Sequence, residues 1–341
     1  MAVTQQDIAK LAGVSRGTVY RALNRSGPVK ADVAKRIVKI AHELGYHPNR
    51  AGATLVRTGN PLKIGIIIQS TETAFMRHVL QIIRDEQPRF ADMGAELIIH
   101  ANESIDLALQ IQTIESLRKS GIDGLALTPV EDERICELID RLQIDGIPTV
   151  TFNTDMPSSG RLCYVGQDAY LSGRACAGLM HTLLGGTGKV LTITGYISNL
   201  SHQRRIDGFR SEMLNAFPGM ALLPMERCND SNRRAFEIVT EAIRLHPDLR
   251  GVYLSANGQC GACDAIRAAG RRGQVRVVCH DLTEENIRNA KDGVISFIVD
   301  QDSRAQAIRP IEILLDDLMS GIRPDSEYQL TKIEYYNAYN V

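Results

Sequence analysis

The stretch "AGVSRGTVYRALN", Ala12 to Asn24, decides how the N-terminal part of the chain folds. Gly13 offers a turn residue and Ser15 a helix cap, because a serine hydroxyl accepts from the free backbone N–H groups of a helix's first turn. The helix that follows holds Gly17, and glycine costs a helix interior about 1 kcal/mol against alanine. On a helical wheel Val19, Ala22 and Leu23 share one face, and Arg16, Gly17, Tyr20, Arg21 and Asn24 form the opposite stripe. Gly17 lies in the first turn, where the penalty is smaller, and its missing side chain lets another backbone approach. The helix therefore packs with one face and presents a basic one.

Two more short helices flank it. Thr4 caps a helix from Gln5 to Ala12, with Asp7 three residues on as a capping-box partner. "ADVAKRIVKIAHELG" places Val33, Ile37, Ile40, Ala41 and Leu44 at helical spacing and stops at Gly45. "HPNRAGATLVRTGNP" reads as a connector in which Asn49 caps a helix to about Val56. So short a helix, with Gly52 inside it, is marginal in water by itself. Residues 1–60 hold ten Lys/Arg against three acids, a net +7, while the other 281 residues carry a net −8. A basic head on an acidic body points to a polyanion as partner of the head alone.

From Leu62 the pattern changes to apolar strands alternating with amphipathic helices. The strand candidates are "LKIGIII", "AELIIHA", "GLALTP", "IPTVTF", "KVLTITG", "GVYLSA", "VRVVCHD" and "ISFIVDQ". That alternation predicts an α/β body with parallel sheets covered on both faces. Eight strands over about 280 residues divide better into two lobes than into one sheet, with a (β/α)8 barrel as the alternative. The expected division is a head at 1–47, a hinge helix and linker at 48–61 and a body at 62–341. Within the body, lobe 1 takes about 62–162 plus 301–325, and lobe 2 about 163–300 plus 326–341. The strands end at polar residues: Gln69-Ser70 with Thr73 and Phe75 beyond, Asn153-Thr154-Asp155, Asn257, His280-Asp281 and Asp300-Gln301. Arg205 follows the fifth candidate in "SHQRRIDGF". Ligands of open α/β sheets bind outside the carboxyl ends of the strands. Amides, carboxylates, an arginine and a few aromatic faces suit a hydroxyl-rich small molecule. The chain has no tryptophan, so ring stacking falls to Phe75, Phe152 or Tyr196.

Composition narrows the classes. The 341 residues are 44% hydrophobic and 23% charged, ordinary for a globular protein of more than one folding unit. No apolar run approaches the roughly 18 residues of a membrane helix, and the N-terminus lacks the pattern of a signal peptide. A cytoplasmic location with no membrane partner is expected, and the seven cysteines read as reduced, mostly buried thiols. "GGTGK", Gly185 to Lys189, resembles a phosphate loop, but Val190 follows the lysine and a strand begins, so it reads as a tight turn. Cys260-x-x-Cys263 has no second ligand pair, and the spacing suits one helix face. Cys279, His280 and Asp281 alternate across a strand and form no triad unaided. No cofactor, metal or catalytic constellation is expected.

Val3, Thr4, Asp7, Ile8, Ala9, Ala12, Gly13, Val14, Ser15, Thr18, Val19, Arg21, Leu23 and Asn24 make the head resemble the helix-turn-helix of the LacI/GalR family of bacterial transcription regulators. "GYHPNRAGATL" resembles that family's link to its hinge helix. The body is similar to the family's effector domain, which shares the type I periplasmic sugar-binding fold, and looks closer to the ribose-binding branch. The resemblance implies a homodimer on double-stranded operator DNA whose affinity a small molecule shifts. It places Arg16, Gly17 and Arg21 toward base edges, Asn49, Arg50, Gly52 and Ala53 on the hinge helix, and Leu55 as a minor-groove wedge. Phe75, Asn153, Arg205, Asn257, Asp281 and either Asp300 or Gln301 fall at effector-contacting positions. With Thr4, Ser15, Thr18, Tyr20 and Asn24 on the DNA side, and Thr73 and Asp155 on the effector side, these are the candidate site residues. Tyr20 stands where the family usually has a small serine, and three roles are open to it: a phosphate contact, a base contact or a shield for the turn. Gly52 replaces a helix former, Asn257-Gly258 an Asn-Asp pair, and "FNTD" an Asp-Arg pair of ribose binders.

A recognition helix reads bases from the major groove while the helix before it crosses the backbone, and arginine pairs bidentately with guanine for roughly 1–3 kcal/mol of discrimination. These readings favour a transcription regulator, a repressor, whose effector is a sugar or polyol. The rivals are a sugar-metabolising enzyme with an added head and a transport solute-binding protein. The C-terminal "YYNAYNV" carries no leucine heptad, so a dimer is expected rather than a tetramer.

Overall fold

A computed structural model describes residues 4–24, 28–44, 60–196 and 199–341. Three helices form the head: α1 (Gln5–Ala12), α2 (Arg16–Asn24) and α3 (Ala31–Glu43). Thr4 caps α1 reciprocally: its hydroxyl accepts from the Asp7 N–H, and its own N–H donates to Asp7 Oδ2 at 2.9 Å. The Thr4 hydroxyl, which donates to Asp7 Oδ2 at 2.6 Å, and then the Thr4 N–H hold the exposed Asp7 carboxyl below its usual range. Ser15 caps α2, its hydroxyl accepting from the Thr18 N–H at 3.1 Å. Ile8, Ala9, Ala12, Val19, Leu23, Ile37 and Ala41 close over one another as the head's core.

The body is built on two sheets. The first has the order β12-β5-β4-β3-β1-β2, using β1 (Leu62–Ile68), β2 (Ala95–Ala101), β3 (Gly124–Leu127), β4 (Thr149–Phe152), β5 (Cys163–Gly166) and β12 (Tyr328–Leu330). Its pairings are all parallel. Helices α4 (Ala74–Asp92), α5 (Leu107–Lys119), α6 (Glu133–Ile144) and α12 (Ser303–Ser320) cover it. The second sheet has the order β13-β11-β10-β9-β6-β7, with β8 also on β6. Its strands are β6 (Gly188–Thr194), β7 (Met220–Leu222), β8 (Glu226–Arg227), β9 (Leu249–Leu254), β10 (Arg276–His280), β11 (Ile295–Asp300) and β13 (Glu334–Tyr336), with only β11 and β13 antiparallel. Helices α7 (Ala169–Leu184), α8 (Leu200–Ala216), α9 (Asn232–Leu245), α10 (Gln259–Ala268) and α11 (Glu284–Lys291) belong to this half. Two sheets with separate cores replace the barrel alternative.

The lobe boundaries expected at 163 and 326 are corrected. Cys163–Gly166 pairs with β4, with Val150 against Cys163, so it belongs to the first sheet, as does Tyr328–Leu330. Parallel neighbours are usually joined through a helix; the link from β4 to β5 has none, which made Cys163 look like the start of a new unit. The chain crosses between the halves after β5, after β11 and after β12. Gln167 fastens the three crossings, its amide donating to the Asp300 carbonyl at 2.8 Å and the Lys332 carbonyl at 3.1 Å.

Helices α7 and α8 meet backbone to backbone. A Cβ placed on Gly173 would sit 2.0 Å from the Arg205 carbonyl, and one on Gly208 would sit 2.0 Å from the Tyr170 carbonyl. Only glycine permits that approach, and it fixes the height at which Arg205 leaves α8.

Candidate functional site

On the head, the stripe of α2 stands clear of the core. Arg16, Gly17, Tyr20 and Arg21 are exposed, as are Thr4 and Ser15. Thr18 is half-buried, and its hydroxyl is shared between Ser15 at 2.9 Å and the Arg21 guanidinium at 3.3 Å. Thr18 thus steadies the cap and the arginine rather than reaching outward. A Cβ on Gly17 would meet nothing closer than Ser15 Oγ at 3.8 Å, so no contact inside the protein requires glycine there. Asn24 is the last residue of α2. Asn49, Arg50, Ala53 and Leu55 lie outside the described residues.

The second site is a cleft of about 730 Å³, open mouth included, between the carboxyl ends of the two sheets. The first half contributes Gln69 and Ser70 after β1, Thr73, Phe75 and Met76 at the start of α4, Ile105 after β2, Thr128 to Val130 after β3, and Asn153 and Thr154 after β4. The second contributes Asn199, Ser201, His202 and Arg205 around the start of α8, Asp230 after β8, Ala256 and Asn257 after β9, Asp281 after β10 and Gln301 after β11. The strands of each half point their carboxyl ends inward, which is why residues far apart in sequence converge.

Of the nine expected effector residues, seven line this cleft: Thr73, Phe75, Asn153, Arg205, Asn257, Asp281 and Gln301. Thr73 does so as the cap of α4, its hydroxyl accepting from Met76 and donating to the Ser70 carbonyl. Two are placed elsewhere. Asp155 turns into the protein and forms a buried two-point pair with Arg161, at 2.5 and 2.7 Å, while also accepting from the Thr151 hydroxyl. Asp300 accepts from the Asp302 N–H at 3.2 Å beside the crossing; successive residues at a strand end face opposite ways, and Gln301 takes the cleft side. Of the three aromatic candidates only Phe75 lines the cleft. Phe152 is buried in the first core and Tyr196 is exposed outside the lining.

Arg205 is the centre of the arrangement. It is 3% exposed, donates to the Ser255 carbonyl at 2.9 Å and to Gln301 Oε1, and has a buried Nε with no partner. Gln301 passes its amide on to Asp281. Burial raises the Asp281 carboxyl above its usual range. Asp230, bonded to the Asn257 N–H at 3.0 Å, is pushed up to about 6 by lost hydration, with Asp281 and Glu72 adding repulsion. His202 is driven down to about 3 by desolvation and the Arg205 charge, so its ring is neutral. Ser70, Asn153, Asp230 and Asp281 all hold left-handed φ values, between 58° and 78°. Such conformations cost a side-chain-bearing residue roughly 1–3 kcal/mol and gather at functional sites.

Apart from the seam, hydrogen bonds among the described residues also span the cleft: the Ser201 hydroxyl donates to the Asn153 carbonyl at 2.8 Å, and Thr154 reaches Asn199 at 3.5 Å. Asn199, Ser201 and Asp230 were missed as candidates. Asn199 and Ser201 sit in an ordinary-looking cap of α8, and Asp230 follows a two-residue strand that leaves no periodic trace. Among the described residues no three His, Cys, Asp or Glu side chains converge as metal ligands. Burial pushes the Cys263 thiol up to about 12. Among those residues no helix is long and apolar enough to cross a membrane.

Residues 64–321 match the periplasmic binding protein domain family, and residues 4–49 match the bacterial regulatory proteins of the lacI family. The D-ribose/D-allose-binding protein of Pseudomonas aeruginosa is 25% identical over 272 residues, 78% of this chain and 84% of that protein. The ribose operon repressor of Escherichia coli is 23% identical over 214 residues, 62% of each chain. Among solved structures, the glucose-galactose binding protein GanP of Geobacillus stearothermophilus superposes with a TM-score of 0.75 at 19% identity, over 83% of this chain and 99% of that one. The chain belongs to the periplasmic binding protein domain family and, through its head, to the lacI family of bacterial regulatory proteins.

Proposed function

We propose that this regulator is a cytoplasmic repressor whose operator affinity is set by a sugar or polyol held between the two halves of its body. The observation that carries the reading is the convergence of Asn153 from one half with Arg205, Asp281 and Gln301 from the other, in a cleft whose only aromatic lining residue among those described is Phe75. Hydroxyl groups offer a donor and acceptors together, and the cleft offers carboxylates, amides and an unspent guanidinium N–H in return. The relatives named for ribose and allose support the same chemistry. A ligand spanning both halves stabilises their closed arrangement, and a change in that arrangement reaches the head through the chain between residues 44 and 60. This is a coupling free energy between two sites.

The molecule acts in this reading as a homodimer, because a helix-turn-helix reads two half-sites related by a two-fold axis. It binds its small molecule without turning it over. Mobility-shift titration of DNA from upstream of its own gene, in rising salt and with a series of sugars and polyols, tests the reading. Binding that weakens steeply with salt and moves with one of the sugars is expected. DNA binding absent under every condition overturns it, and light scattering of a monomer on operator DNA overturns the dimer.

A further inference from the structure

The cleft is unbalanced in charge. Asp230 and Asp281 both line it, and among the described residues Arg205 is its single lining cation. That cation is already turned toward the protein: one Nη donates to the Ser255 carbonyl and the other to Gln301, which hands on to Asp281. His202, on the same helix, is neutral. Asp230 is bonded to the Asn257 N–H, and the Asn257 amide donates back to the Asp230 carbonyl, but among the described residues no Lys or Arg pairs with its carboxylate in an ion pair. Glu72, from the facing half, adds to the negative field around it. Arg205, which lines the same cleft, has a buried Nε with no partner among the described residues, a donor that calls for an acceptor oxygen from whatever fills the cleft.

Resting on the sugar-responsive reading above, we propose that Asp230 is a charge filter: with Asp281 it admits polyols without an acidic group and bars sugar phosphates and sugar acids. A hydroxyl donates to a carboxylate and accepts from the Arg205 Nε, satisfying both sides. A phosphate or carboxylate brings only acceptors and one or two negative charges against two fixed carboxylates, and like charges at short range cost most where water is displaced. Asp230 stands on a short loop between β8 and α9, so it reaches the cleft from a different loop than Asp281 and Gln301, which follow β10 and β11.

The test is thermal melting and calorimetry of the full chain with matched sets: D-ribose, D-allose, D-glucose and D-galactose, each beside its terminal phosphate and its aldonate. The wild type is expected to respond to at least one neutral sugar and to bind the matching anions at least 30-fold more weakly. Asp230→Asn, which keeps an acceptor for the Asn257 N–H, is expected to narrow that ratio about tenfold. The proposal is overturned if an anion binds the wild type as tightly as its neutral parent, if Asp230→Asn leaves the ratio unchanged, or if no neutral member binds. Should Asp230→Asn fail to melt cooperatively, the wild-type ratios decide. Operator binding measured with and without sugar separates the outcomes: retained binding with a failed ratio sinks the filter alone, whereas binding absent under every condition sinks the regulator reading.

Discussion

Gly17 and Asp230 are single residues that carry costs no contact within the described fold requires. Nothing within 3.8 Å opposes a methyl group at Gly17, so Gly17→Ala should stabilise α2, by up to about 1 kcal/mol. The same change should weaken operator binding about tenfold, near 1.4 kcal/mol, if the glycine exists to admit DNA; a melting curve paired with a mobility shift checks both. Asp230 carries the opposite conflict. Its folded carboxyl titrates near 6 against an ordinary 3.8 because burial disfavours the charge. Below pH 4 both folded and unfolded states hold the proton and stability is unaffected. Between pH 4 and 6 the unfolded chain releases it first, so folded stability falls, and above 6 the loss is constant at up to about 3 kcal/mol. Asp230→Asn should therefore melt higher than wild type at pH 7.5, with the gap closing by pH 4. Equal melting temperatures at pH 7.5 would show that the carboxylate is not strained by burial.

At the scale of elements, the contact between α7 and α8 governs where Arg205 stands. Gly208→Ala should cost roughly 1–3 kcal/mol through overpacking and lower sugar affinity at least tenfold, while ligand-free operator binding persists; calorimetry and gel shift together read this. Elements also differ in how much of them the sequence discloses. Leu62–Ile68 is legible because a strand buried on both faces is a continuous apolar run. Tyr328–Leu330 is not, being three residues long with Tyr328 and Leu330 exposed. Cys163–Gly166 is hidden by the missing helix before it. The cleft follows the same logic: Arg205, Asn257 and Asp281 are visible as polar residues near strand ends, yet choosing Gln301 over Asp300, or seeing Asp155 claimed by Arg161, depends on side-chain direction, which only packing fixes.

For the whole molecule, the relation of the two halves is the variable through which the proposed sugar response would act. Three crossings tied by Gln167 gather into one seam, and the Ser201–Asn153 bond spans the cleft itself. Ser201→Ala removes that bond without touching the seam, at a cost of about 1 kcal/mol to the closed arrangement. Sugar affinity should fall roughly fivefold with unchanged melting of the ligand-free protein, and small-angle scattering should show a more open body. No change in affinity would mean that closure owes nothing to this contact.

The left-handed backbone at Ser70, Asn153, Asp230 and Asp281 also limits how this family member can diverge. Bulky and β-branched side chains rarely tolerate such φ values, so these four positions can exchange among serine, asparagine, aspartate and glycine and little else. A lineage acquiring a new effector would have to alter the floor instead, at Met76, Ile105 or Thr128, or along the start of α8. Mutational libraries aimed at a new inducer should be sparse at the strand ends and dense on those surfaces.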